Sequence, residues 1–174
     1  MGTSFQHDPT LQQRVVVGVG EFAASNNGHV VLSTFALGSC VGLIAHDSEQ
    51  HAVGLLHCML PDSTAARDKA QERPAMYADT GFNLLMRNMM SLGARIHRIR
   101  FIVAGGAGNH GANDFFKIGV RNLETVEHLL NRHQLRVQHR FVGGSINRTI
   151  HFSVGAGTLV LRTPLGTETF ACYD

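Results

Sequence analysis

Charge is scarce in this chain: Asp, Glu, Lys and Arg make up 16% of the 174 residues and leave a formal net charge of +2, too small a surplus to indicate a nucleic-acid binder. Long apolar runs are missing as well. No stretch of about 18 apolar residues occurs and no apolar segment follows the start, so neither a membrane span nor a signal peptide is expected, and the cytoplasm is the expected compartment. Cysteine is confined to Cys40, Cys58 and Cys172, an odd set without regular spacing, expected as thiols and not as a disulfide framework. Internal repeats and low-complexity segments are absent. What remains is apolar: hydrophobic residues reach 44%, well clear of a disordered composition, and the length suits one domain with a sizeable core. Glycine, at 19 of 174, exceeds the usual share of about 7%, which implies many turns and close backbone approaches. Eleven histidines make the charge sensitive to pH near neutrality.

Residues 1–13 are polar and aperiodic and read as a flexible tail, leaving a domain over 14–174. Val15–Val19 is β-branched and reads as a strand buried on both faces. Ser25-Asn26-Asn27-Gly28 supplies turn chemistry for a tight hairpin, with His29–Phe35 returning. After a Gly38-Ser39 turn, Cys40–Ala45 reads as a strand, followed by a polar connection and a strand carrying His57. Residues 61–73 read as an exposed polar loop, and Pro74 suits a first helical turn. Phe82, Leu85, Met86 and Met89 follow the rhythm of a helix face that Gly93 stops. His97–Ala104 is an expected strand ending in a glycine turn, and Leu123, Val126 and Leu130 mark a second helix with Asn122 as N-cap. Three more strands are expected over 135–141, 149–154 and 158–163. Strands in runs around two main helices indicate an α+β fold, layered β-sheets flanked by helices in a single domain.

The chemistry concentrates in Thr34–Leu43 and Val53–Pro61. The first segment places Gly38-Ser39 directly before Cys40, a turn that leaves backbone N–H groups beside a sulfur; the second carries His57 in an apolar run. If the two strands pair, imidazole meets thiol, the minimum for thiol nucleophilic catalysis. Residues alone leave a second reading open, a buried core cysteine and a satisfied strand histidine. Gly105-Gly106-Ala107-Gly108-Asn109-His110-Gly111 follows a strand as a phosphate loop would, but it lacks the Lys-Ser/Thr ending and reads better as a turn near the site. The spacing of His46, His51, His57 and Cys58 matches no common zinc pattern. Arg95, His97, Arg98 and Arg100, with Arg87 nearby, read as a solvated basic face, with docking on an acidic partner as the alternative.

The segments Leu37-Gly38-Ser39-Cys40-Val41 and His57-Cys58-Met59-Leu60-Pro61-Asp62 resemble CheD, the chemoreceptor glutamine deamidases of bacterial chemotaxis. The likeness continues through Tyr77-Ala78-Asp79-Thr80, Ile102–Ala107, Ile118–Asn122, Gly143-Gly144 and Arg148, and so runs from about Val15 to about Arg162. The resemblance implies a cysteine-deamidase-like fold and a site of Cys40, His57 and Thr34, with threonine orienting the histidine. Without the resemblance, Thr34 reads as a β-branched strand residue, and Asn109 or Asp62 remain candidates for the orienting role. The chain departs from the family's glycine-rich lead-in at Phe35-Ala36-Leu37, and Cys58 beside His57 raises the question of which thiol reacts.

The implied activity is hydrolytic deamidation of receptor glutamines to glutamate through a thioester on Cys40. His57 acts as base and then acid, and Gly38, Ser39 and the Cys40 amide are candidates for holding the oxyanion. No metal or organic cofactor is expected. Methyl-accepting chemoreceptors are the implied substrate, and a CheC-type phosphatase is a further implied partner. The alternative is a non-catalytic adaptor that docks on receptor or phosphatase.

Overall fold

The computed structural model describes residues 12–108 and 116–173. Residues 1–11 of the expected tail lie outside that range, as do Asn109, His110 and Gly111 of the expected glycine turn.

Within the described residues the chain forms two five-stranded sheets and three α-helices. The first sheet holds, in spatial order, β1 (Gln13–Val16), β3 (Val30–Leu37), β8 (Arg148–Ser153), β9 (Thr158–Thr163) and β10 (Gly166–Ala171). The second holds β2 (Glu21–Ser25), β5 (Ala52–Cys58), β4 (Val41–Asp47), β6 (Arg100–Gly105) and β7 (Arg136–Val142). Only β1 with β3 and β6 with β7 run parallel. The helices are α1 (Arg67–Glu72), α2 (Ala78–Ser91) and α3 (Ile118–Arg132).

The alternation of side chains along β4 and β5 explains the layering. Leu43, Ala45, Leu56 and Cys58 pack on one face with Phe82, Leu85 and Met89 of α2 and with Val126 and Leu130 of α3. Ile44, Val53 and Leu55 face the other way, onto Leu32, Ile150 and Phe152 of the first sheet. Both central strands are buried on two faces and are apolar except at His46, Asp47 and His57; β4 thus runs past the expected end at Ala45 into the expected polar connection. A side chain at Gly54 would press into Leu85 and Met89, so glycine lets α2 approach the sheet. Gly93, at φ +87, ends α2 as expected.

Several expectations are corrected. Val15–Val19 is not a doubly buried strand: β1 is an exposed edge strand ending at Val16, because the chain must leave the first sheet there to enter the second at Glu21. Ser25–Gly28 does turn, with Asn27 N–H donating to Ser25 Oγ and His29 N–H to Asn27 Oδ1, but it joins strands of different sheets and makes no hairpin. Residues 67–72 of the expected loop are helical, burying only Ala70. Asn122 is no N-cap: α3 begins four residues earlier, after Lys117 in a left-handed conformation, and Asn122 lies within it. Strands β2 and β10 were not anticipated. Arg98 is not merely solvated, since its guanidinium engages the buried Asp47 carboxylate at 2.9 Å and Glu49 at 2.7 Å.

Candidate active site

Three consecutive strands and two turns bring Thr34, Cys40 and His57 to one end of the gap between the sheets. His57 lies opposite Gly42 in the β4–β5 register, and Thr34 belongs to the inward face of β3. Cys40, two residues before Gly42, packs its side chain against the same inter-sheet core. Extended one residue past the start of β4, the same register would set Cys40 diagonally across from His57. Cys58 is different: it lies on the opposite face of β5, fully buried, its Sγ donating to Val41 O at 3.4 Å. Burial pushes its thiol up to about 12, and that of Cys172 up to about 11.

One hydroxyl bears on the tautomer of neutral His57. Thr34 Oγ1 donates to Val17 O at 2.7 Å and stands 2.8 Å from His57 Nδ1. A threonine hydroxyl has a single proton, so when Val17 O accepts it, the imidazole form that fits donates Nδ1–H to Oγ1. Nε2 is then the bare nitrogen. It is buried and, among the described residues, has no hydrogen-bond partner. Burial lowers the His57 pKa, with the Val17 carbonyl and the Glu21 carboxylate acting in the opposite sense. Burial also raises Cys40, moderated by its own backbone N–H. The two shifts favour the neutral thiol–imidazole pair near neutral pH over a thiolate–imidazolium pair.

Backbone contacts fix the turn before Cys40. The Gly38 N–H donates to Ala36 O at 2.9 Å, so this amide is already engaged and does not serve an oxyanion. Ala107 N–H holds Gly38 O at 2.8 Å and Gly106 N–H holds Cys40 O at 2.9 Å. The glycine turn after β6 thus braces the cysteine turn, and Gly105 is required there: at φ +104, a Cβ would land on the Cys40 carbonyl oxygen. The amides of Ser39 and Cys40 meet no acceptor elsewhere in the chain among the described residues. Asn122, fully buried on α3, donates from Nδ2 to Ser39 O at 3.0 Å and to Met59 O at 2.8 Å.

Asp62 does not orient His57: its carboxylate accepts the Thr64 N–H at 3.0 Å in an exposed turn. Asn109 lies outside the described residues. His46 Nε2 meets Gln138 Oε1 at 2.8 Å at the far end of β4, and His51 meets Tyr173 edge to face. Two contributors escaped the sequence reading. Val17 acts through its carbonyl, which leaves no side-chain signature. Asn122 was detectable as the polar member of the buried stripe Gly119, Asn122, Val126 and Leu130.

The model of the family described as CheD chemotactic sensory transduction matches residues 59–163. The chain is 36% identical over 152 residues to the probable chemoreceptor glutamine deamidase CheD 1 of Syntrophus aciditrophicus, covering 87% of this chain and 95% of that protein. It is 43% identical over 136 residues to the probable chemoreceptor glutamine deamidase CheD of Desulfitobacterium hafniense, covering 76% and 83%. With the namesake from Pyrococcus abyssi it shares 35% identity over 160 residues, covering 91% and 96%. Among solved structures, the Neisseria meningitidis protein NMB0706 aligns with a TM-score of 0.45 at 8% identity over 76% of this chain and 64% of that one.

Proposed function

The chain belongs to the CheD family, and from that membership we propose that it hydrolyses the side-chain amide of specific chemoreceptor glutamines, releasing ammonia and leaving glutamate. The observation that carries this reading is the Val17–Thr34–His57 hydrogen-bond chain, which leaves Nε2 unpartnered on the strand paired with the one that follows Cys40.

As Cys40 Sγ attacks the carboxamide carbon, its proton passes to His57 Nε2. The raised Cys40 and lowered His57 pKa favour a neutral resting pair, so the imidazole is needed to take the thiol proton. The carbonyl electrons move to oxygen, and the amides of Ser39 and Cys40 hold that oxyanion. When the tetrahedral centre collapses, the carbon–nitrogen bond breaks and imidazolium protonates the departing NH2 group, which leaves as ammonia. His57 then takes a proton from water as it attacks the thioester, and Cys40 leaves with that proton as thiol. Val19, Phe35 and Met59, exposed apolar residues adjoining the three segments, support a protein substrate. No helix among the described residues is long and apolar enough to cross a membrane, which accords with action on the cytoplasmic part of a receptor. A CheC-type phosphatase is the further partner we propose.

Incubation with a purified chemoreceptor cytoplasmic domain tests the reading. Ammonia release should match, mole for mole, the glutamine-to-glutamate conversions found by peptide mapping. Receptor binding without ammonia would instead establish the adaptor.

A further inference from the structure

We propose that Asn122 is the positioning residue for the oxyanion donor: its carboxamide holds the Ser39 carbonyl so that the N–H of the same peptide unit, that of Cys40, faces the reacting carbonyl. This rests on the reading of Cys40 as nucleophile.

Asn122 Nδ2 has two protons and directs one to each segment of the site. One reaches Ser39 O at 3.0 Å, the residue before the nucleophile; the other reaches Met59 O at 2.8 Å, two residues after the base. A single rigid amide thereby sets the separation of the two segments. The Ser39–Cys40 peptide is trans, so its C=O and N–H point in opposite directions. Drawing Ser39 O toward α3 therefore turns the Cys40 N–H away from α3. Among the described residues that N–H meets no backbone acceptor in another residue. Rotation of the turn is blocked further by Ala107 N–H on Gly38 O and Gly106 N–H on Cys40 O. A hydrogen bond accepted by the carbonyl also polarises the peptide and strengthens its N–H as a donor.

The other half of the side chain supports the assignment. Asn122 Oδ1 is buried and has no donor among the described residues, an unfavourable arrangement for a carboxamide. The neighbouring stripe positions hold Val126 and Leu130, so an apolar residue would satisfy packing. What asparagine adds there is its two N–H groups, both engaged.

Two reagents separate positioning from simple structural support. Alkylation of Cys40 by iodoacetamide forms no oxyanion, whereas deamidation and inhibition by a glutamine-side-chain aldehyde both do. In Asn122→Ala and Asn122→Asp, kcat and aldehyde affinity should fall together by about 10- to 100-fold, while KM and the iodoacetamide rate stay near wild type. Loss of alkylation in proportion to deamidation, or unchanged kcat, would overturn the proposal, as would failure of both variants to fold. A wild-type protein that neither deamidates receptor nor labels at Cys40 would refute the nucleophile reading itself.

Discussion

The Thr34 hydroxyl has two neighbours and one proton, which separates its chemistry from its shape. Thr34→Ser keeps the donor to Val17 O and the acceptor for Nδ1, whereas Thr34→Val keeps the β-branched form and loses both. Serine should retain most deamidase activity; valine should lose at least about tenfold, because the imidazole is no longer held in its Nδ1–H tautomer. Activity in the valine variant with impairment in serine would make Thr34 a packing residue. The neutral resting pair makes a second prediction. With the His57 pKa lowered by burial, deamidation should persist as pH falls through about 6.5 and decline only below it, as Nε2 takes a proton. With Cys40 raised by burial, its alkylation rate should keep climbing above about 8.5 and show no plateau at neutral pH. A plateau near pH 7 would indicate a thiolate–imidazolium pair instead. Cys40 and His57 stand out in the sequence as candidates because each would act through its own side chain, whereas Thr34 is singled out only by the family resemblance. Val17 was not legible, since it contributes a carbonyl that any residue carries.

At the scale of elements, α3 reaches the site through Gly119, where a Cβ would strike the Ala107 carbonyl oxygen. Gly119→Ala should displace α3 from the glycine turn, carry Asn122 with it, and lower kcat more than thermal stability. A large drop in Tm with kcat per folded molecule intact would argue against that coupling. The opposite end of β4 offers a contrast. Burial pushes the Asp47 carboxyl up, but hydrogen bonds from Arg98 and the Arg95 amide, with the Arg98 charge, outweigh it and hold it below its ordinary value. Its stabilisation is present above the ordinary carboxylate range and is lost as pH falls through the lowered pKa. Asp47→Asn should therefore lower Tm most at neutral pH, the difference closing in acid, with activity unchanged. The central strands and long helices were legible from apolar runs and period. Strand pairing was not, because β1, β2 and β3 alternate between sheets although their turns look like hairpin turns. The polar β10 edge and the six-residue α1 bury too little to leave a periodic signal.

At the scale of the molecule, two sheets and one helical layer converge on a single end of the sandwich. The candidate residues lie on different elements: Thr34 on β3, Cys40 in the β3–β4 turn, His57 on β5 and Asn122 on α3. The layering also sorts the thiols. Cys58 is sequestered between sheet and helices and Cys172 is buried at 3% exposure, while Cys40 alone is half-buried at the end of the sandwich that carries His57. The most direct measurement is peptide-mapped mass spectrometry of a chemoreceptor co-expressed with wild type, Cys40→Ala or Cys58→Ala. Glutamine-to-glutamate conversion should appear at the same sites with wild type and Cys58→Ala and vanish with folded Cys40→Ala. Conversion that survives in Cys40→Ala, or that is lost only in Cys58→Ala, would contradict the account.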